Sequence, residues 1–372
     1  MKLIVGACAL LPALASADTF KVFTGSFGPR NDLMVSKPIF KWEIWPTEGK
    51  ANATDIDFRI DGKPVAATYD APQKAVVYTP ANALSNGTHQ VDVAVTFDGV
   101  YKFNKSWTAT VSTVSLATLP TATSAQVEIA SRVNEIRQSI GLPPVQIDNR
   151  LNVAAFKHSE YLTMNGMMGH NQVPGTKGFF GQTHQDRLAV YGWAGGAWEG
   201  VTYGSESIGQ GVQQLFDAPY HRLPFLQPGS ISFGSGFVGT RMTMEFGGSS
   251  KGGTVVSPAN GEANVPTKWK NAESPNPMRL HGGQTQTGYP IVLARFSDNV
   301  RKIKIAQATL TLDGAAVPVF LNTPENDDRL EFAAIMFPQK ALKAKASYMA
   351  TFKGSDNLGN PIEVTSTFKT AG

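Results

Sequence analysis

From Thr19 to about Val111, apolar and polar residues alternate in short runs, Asp55–Ile60, Ala75–Tyr78, Val91–Phe97 and Tyr101–Val111, separated by Asp61-Gly62, Asn86-Gly87 and Asp98-Gly99. A period of two closed by Asn-Gly or Asp-Gly pairs predicts antiparallel hairpins, and several at this spacing predict an all-β sandwich. Trp107 is expected in the core of its last strand. From Thr113 to Ser124 the periodicity gives way to Thr, Ser, Ala and Pro, the pattern of a linker.

The period then changes to that of a helix. After a candidate cap at Ser124, the residues Val127, Ile129, Ala130, Val133, Ile136, Arg137 and Ile140 form an apolar face that Gly141 and Pro143-Pro144 end. A second helix is predicted from about Asn149 to Met164, stopped by Asn165-Gly166, and a third from Ser207, where Ser207-Ile-Gly-Gln210 has the form of a capping box. Gly-rich loops lie between them. Ile231–Val238 and Thr240–Phe246 read as a hairpin, so the middle is α+β. Beyond Gly252 the first pattern returns: Thr309-Leu-Thr-Leu-Asp313-Gly314 matches Phe58-Arg-Ile-Asp61-Gly62, and Ser347–Phe352 matches His89–Val95. Two related sandwiches flanking a different domain are therefore expected, with boundaries at 18–112, 113–123 (linker), 124–250 and 254–372.

Composition narrows the function classes. Charged residues are 17% of 372, below the usual share of about 25%, and 36 Gly and 23 Pro favour turns and strands. The net charge of +4 is spread without a basic stripe, which argues against a nucleic-acid partner. One cysteine excludes a disulfide framework, an iron–sulfur cluster and a Cys-rich zinc module. Lys2, the apolar run Leu3–Ala15 and Ala15-Ser16-Ala17 have the form of a signal peptide spanning 1–17, and this predicts a secreted protein, at most associated with the cell envelope. The run is too short to cross a bilayer, and no later segment is long and apolar enough to be transmembrane. Val5-Gly6-Ala7-Cys8 resembles a lipidation signal, but too few apolar residues precede it.

Candidate chemistry concentrates in the middle. His170 in Met168-Gly-His-Asn171, Glu199 in Trp198-Glu-Gly-Val-Thr-Tyr-Gly204 and His221 in Asp217-Ala-Pro-Tyr-His-Arg222 make a set suited to a divalent metal such as zinc, or to general acid–base work on a polar ligand. No HExxH occurs, which excludes a zincin. His158 is expected as a hydrogen-bonded core histidine, and His89, His184 and His281 as solvated. An Asp186–Arg187 ion pair is expected to fix the loop before Tyr191.

Seven ordered motifs carry a resemblance. Asn134-Glu-Ile-Arg137 with Gly141-Leu-Pro-Pro, Ala155–Tyr161, Gly169-His170-Asn171, Asp186-Arg187, Tyr191-Gly192, Trp198–Gly204, and Asp217–Arg222 followed by Gly234-x-Gly236 are together similar to the bacterial branch of the CAP superfamily, also called SCP or PR-1-like. The flanking regions resemble Ig-like domains attached to such modules. The resemblance implies an α-β-α sandwich whose cavity presents His170, His221 and Glu199 as ligand or metal residues. It departs from the family where Gly200 replaces the usual Asn, and a second acid is not evident, Asp217 being nearer His221 than Glu206 is in sequence. The expected function is a secreted binding or interaction module for a divalent metal, a small ligand or a cell-envelope component. The alternatives are an extracellular hydrolase, peptidase or esterase, in which a histidine activates water and Glu199 orients it, and a structural envelope protein with a vestigial cavity.

Overall fold

A computed structural model describes residues 22–46, 52–248, 251–297, 300 and 302–372. The predicted signal segment, 1–17, lies outside the described residues. The chain forms an α+β domain between two all-β sandwiches.

In the N-terminal sandwich, one sheet runs Val22–Gly28, Phe40–Pro46, Ala75–Tyr78, Thr68–Asp70, and the other Asn31–Val35, Tyr101–Leu116, Gly87–Phe97, Ala53–Ile60, Lys63–Val65. The last strand continues to Leu116, into the segment expected as linker. Asp61 and Asp98 take left-handed backbone before their glycines, as a two-residue hairpin turn of this type requires. Alternation buries Phe58, Ile60, Val91, Val93, Val95 and Trp107 between the sheets, and the Trp107 indole donates to Pro29 O at 3.0 Å. The C-terminal sandwich repeats the first sheet, Gly253–Ser257, Ile291–Phe296, Ala333–Pro338, Val319–Asn322, and packs it on a four-stranded sheet, Pro361–Lys369, Ser347–Asp356, Ile303–Leu312, Ala315–Val317, which has the order of the N-terminal one without a strand matching Asn31–Val35. Asp313-Gly314 makes the matching turn.

Among the described residues, the central domain has five α-helices. Helix α1 (Ser124–Ser139) is capped by Thr123, one residue before the expected cap, in a reciprocal box with Gln126. Helix α2 (Asn149–Asn165) ends on Gly166 in left-handed backbone, and α3 (His184–Val190) is capped by a Thr183/Asp186 box. Helices α4 (Ile208–Asp217) and α5 (Pro219–Arg222) follow. They enclose a sheet ordered Gln146–Ile147, Ser232–Val238, Arg241–Gly247, Ala197–Thr202. Gly234 and Gly236 explain why α2 lies so close to this sheet: a Cβ on either would stand 2.2 Å from the α2 backbone at Leu151 or Phe156.

Helix α1 departs from its expected face at one residue and buries a charged one within it. Val127 is 50% exposed. Arg137 is fully buried, and its guanidinium donates to the carbonyls of Pro143, Phe225, Gln227 and Gly229 at 2.8–2.9 Å, tying the helix to two loops. Four satisfied donors make that burial tolerable. No helix among the described residues is long and apolar enough to cross a membrane.

Candidate functional site

Glu199 sits on the strand Ala197–Thr202, with its side chain 1% exposed. Three groups surround its carboxylate. Oε1 accepts from His170 Nδ1 at 2.9 Å, Oε2 is paired with the Arg187 guanidinium, and His158 Nε2 lies 3.9 Å from Oε2. Burial alone raises a carboxyl pKa, but here the His170 hydrogen bond and the Arg187 charge outweigh it, and Glu199 is held well below the usual carboxylate range. Arg187 also donates to the carbonyls of His170 and Gln182, so one buried guanidinium fixes the acid and the histidine loop together. Asp186 is not its partner: that carboxylate caps Thr183 instead.

His158 braces the same loop as the expected core histidine. It is fully buried, bonded to Gly169 O at 3.1 Å and to Gln172 Nε2 at 3.2 Å, and burial pushes its pKa down to about 4. His221, on α5, brings its ring to 6.1 Å from that of His170, with an interplanar angle of 14°. Its Nδ1 bonds to Glu273 Oε1 at 2.7 Å, and the same oxygen accepts the backbone N–H of Tyr220 and of His221, each at 3.0 Å. The two histidines thus converge, each seated on a buried carboxylate. They line a cavity of ≈ 660 Å³ whose other walls include Met168, Tyr203, Lys268 and Lys270. Asp217 lines it too, with Oδ1 accepting from Tyr289 Oη at 2.8 Å and from Gln213 at 2.9 Å. Glu206 is exposed.

Two acids escaped the sequence reading. Glu245, 1% exposed, faces Glu199 across the register of their strands. Burial and the neighbouring Glu199 charge raise its pKa well above the ordinary value. Its only sequence signal is a lone Glu within an apolar strand, Met242-Thr-Met-Glu-Phe246. Glu273 belongs to the C-terminal region, and no spacing rule links it to the CAP motifs. The departure at position 200 has a packing reason: a Cβ on Gly200 would come within 3.3 Å of Leu215 on α4.

Three histidines expected in solvent are not free. His89 is 6% exposed and bonded to Asp61 and Ser85 O, because Asp61 of the hairpin turn reaches back over it. His281 stacks on Phe320 and bonds to Asn322 Oδ1 at 2.7 Å. His184 lies 3.6 Å from Glu245 and is only 27% exposed, because the helix α3 that starts at this residue packs beside the site.

The donors that fit a divalent ion are His170 and His221, since an imidazole backed by a carboxylate at Nδ1 is oriented for ligation through Nε2. Both Glu199 oxygens are engaged behind the ring, and among the described residues no three His, Cys, Asp or Glu side chains form a metal-holding group. An ion here would have two protein ligands and complete its shell with water.

Residues 130–246 match the model of the CAP family, described as the cysteine-rich secretory protein family. The central domain is a CAP domain, and the two β-sandwiches lie on either side of the matched segment. Its matched segment contains no cysteine. Among solved structures, an outer surface protein from Borrelia burgdorferi is similar at 18% identity over 37% of this chain and 100% of that one, with a TM-score of 0.30. An extracellular protein containing a SCP domain from Bacillus anthracis str. Ames is similar at 14% identity over 62% of this chain and 86% of that one, with a TM-score of 0.29. No curated protein matches the sequence.

Proposed function

We propose that the protein is secreted and works as a binding module, with the cleft at His170 and His221 as its ligand site. The observation that carries this reading is the convergence of two near-parallel imidazoles, each bonded through Nδ1 to a buried carboxylate. That arrangement fixes ring orientation and leaves Nε2 for a ligand. Glu199 and Glu273 act as positioning residues, and Arg187 and His158 hold the loop that carries His170.

When bound, a divalent ion would supply a Lewis-acidic centre for a polar ligand. Zinc titration of the protein and of the double variant His170→Ala/His221→Ala tests the site. Zinc binding that falls at least tenfold in the variant is expected, whereas equal or negligible affinity in both proteins would leave a structural role. Metal binding to neutral imidazoles competes with protons and is expected to weaken in acid.

A further inference from the structure

We infer that Tyr220, Asp327 and Arg279 form a clamp through which the C-terminal region fixes the His221 ring, an inference that rests on the binding-module reading above and adds positioning residues that lie outside the cleft. Helix α5 cannot hold that ring by itself. It is a single turn, Pro219–Arg222, preceded by Ala218, whose side chain makes no capping bond, and a turn of this length is not stable in isolation. The N–H groups of Tyr220 and His221, which have no partner within the turn, are taken by Glu273 Oε1, the oxygen that also bonds His221 Nδ1. One carboxylate oxygen of the C-terminal region thus caps the turn and orients the ring.

The residues on either side of His221 complete the attachment. Arg222 donates to Pro290 O at 2.9 Å. Tyr220 donates its O–H to Asp327 Oδ2 at 2.5 Å and accepts from Arg279 at 2.8 Å. Asp327 is 1% exposed and also accepts from Asn322 Nδ2 at 2.7 Å, from Arg279 Nη2 at 2.5 Å and from the Arg329 N–H at 3.0 Å, so its carboxylate has no room to follow a moving partner. His170 is braced differently, from within the CAP domain, by Glu199 on its ring and by Arg187 and His158 on its loop. The two rings that face each other are therefore set by separate regions of the chain. Among the described residues that line the cleft, none is Tyr220, Arg279 or Asp327. Loss of the Tyr220 hydroxyl can reach a ligand only through the placement of the His221 ring, and a binding constellation tolerates about 0.5 Å of error in such placement.

The test is Tyr220→Phe in the whole chain, which keeps the aromatic ring and removes one hydroxyl, while Asp327 retains Arg279, Asn322 and Arg329 as donors. In NMR spectra of the imidazole nitrogens, the His221 signals are expected to shift while those of His158 and His89 stay in place, and zinc affinity is expected to fall at least threefold. Arg279→Gln leaves Tyr220 bonded to Asp327 but removes the donor to its oxygen, and it should move the same His221 signals by less. Unmoved His221 signals in both variants would overturn the inference. So would a lowered melting temperature of Tyr220→Phe beside unchanged zinc affinity, the outcome of a purely structural contact. Either result leaves the histidine-dependent zinc binding of the unsubstituted protein standing. If that protein shows no such binding, the binding-module reading fails, and the His221 signals still decide the clamp.

Discussion

The two sandwiches share strand order and Asp-Gly turns, yet they relate to the CAP domain differently. The N-terminal copy keeps its own core, built around Phe40, Trp42, Phe58 and Trp107, and meets the CAP domain through a small cluster in which Val35 packs near Leu151, Leu188 and Tyr191. The C-terminal copy has no separate core among the described residues. Ile129, Val133, Phe225 and Phe246 of the CAP domain belong to one apolar cluster with Ile291, Leu293, Ile335 and Phe337. The copies diverge most between their first and second sheet strands. Residues 29–39 make that connection at the N-terminus, whereas residues 258–290 make it at the C-terminus and carry Lys268, Lys270 and Glu273 to the cleft. One repeat stayed a separate unit, and the other became part of the site.

The largest test of this contrast is deletion. Removing residues 22–112 is expected to leave the remaining protein with a cooperative thermal transition within a few degrees of its value in the whole chain. Removing 253–372 exposes the CAP side of the shared cluster and is expected to abolish cooperative unfolding. Scanning calorimetry of the whole protein should show two transitions, one for the N-terminal sandwich and one for the fused unit. A single transition lost in both deletions would end the comparison.

Point substitutions sharpen it. Arg222 is fully buried at the seam: it donates to Phe216 O at 2.7 Å and to Pro290 O at 2.9 Å, and its guanidinium lies between the rings of Phe216 and Tyr289. Arg222→Ala leaves those carbonyls without partners and removes the packed stem, a loss of about 3–5 kcal/mol, expected in the transition of the fused unit only. Trp107→Ala in the N-terminal core should cost a similar ~3–5 kcal/mol and move only the other transition. Calorimetry of the two variants reads both effects, and a shift of both transitions by either variant would contradict independent cores.

The same contrast explains what was legible in the sequence. Period-two runs with Asp-Gly turns reveal the strands of both sandwiches because alternation and turn chemistry are local. Thr183 and Asp186 carried a helix signal that went unread, since only seven residues follow in α3 and its apolar face is short. His170, Glu199 and His221 are marked by motif order. Their supports are not, because Glu245 and Glu273 act across sheet register and across domains, and nothing local in their segments distinguishes a buried positioning acid from a solvated one.

The smallest test uses one buried histidine from each unit. His158, in the CAP domain, has its pKa lowered to about 4 by burial, so between pH 6.5 and 4 the unfolded chain binds a proton that the native state refuses. The contribution of His158 to the fused unit is therefore lost as pH falls from 6.5 toward 5, and a His158→Gln variant should remove that part of the slope. His89, in the N-terminal sandwich, behaves oppositely. Burial opposes its charge, but its bonds to Ser85 O and Asp61 prevail and raise its pKa above the ordinary value. Its contribution is fully present below pH 6.5 and is lost as pH rises through the raised value. Melting temperatures taken from pH 5 to 8 should thus show the first transition drifting down above pH 6.5, while His158→Gln changes the slope of the second only below that point. Parallel slopes would mean that the two histidines share one cooperative unit, against the separation of cores from which the contrast was drawn.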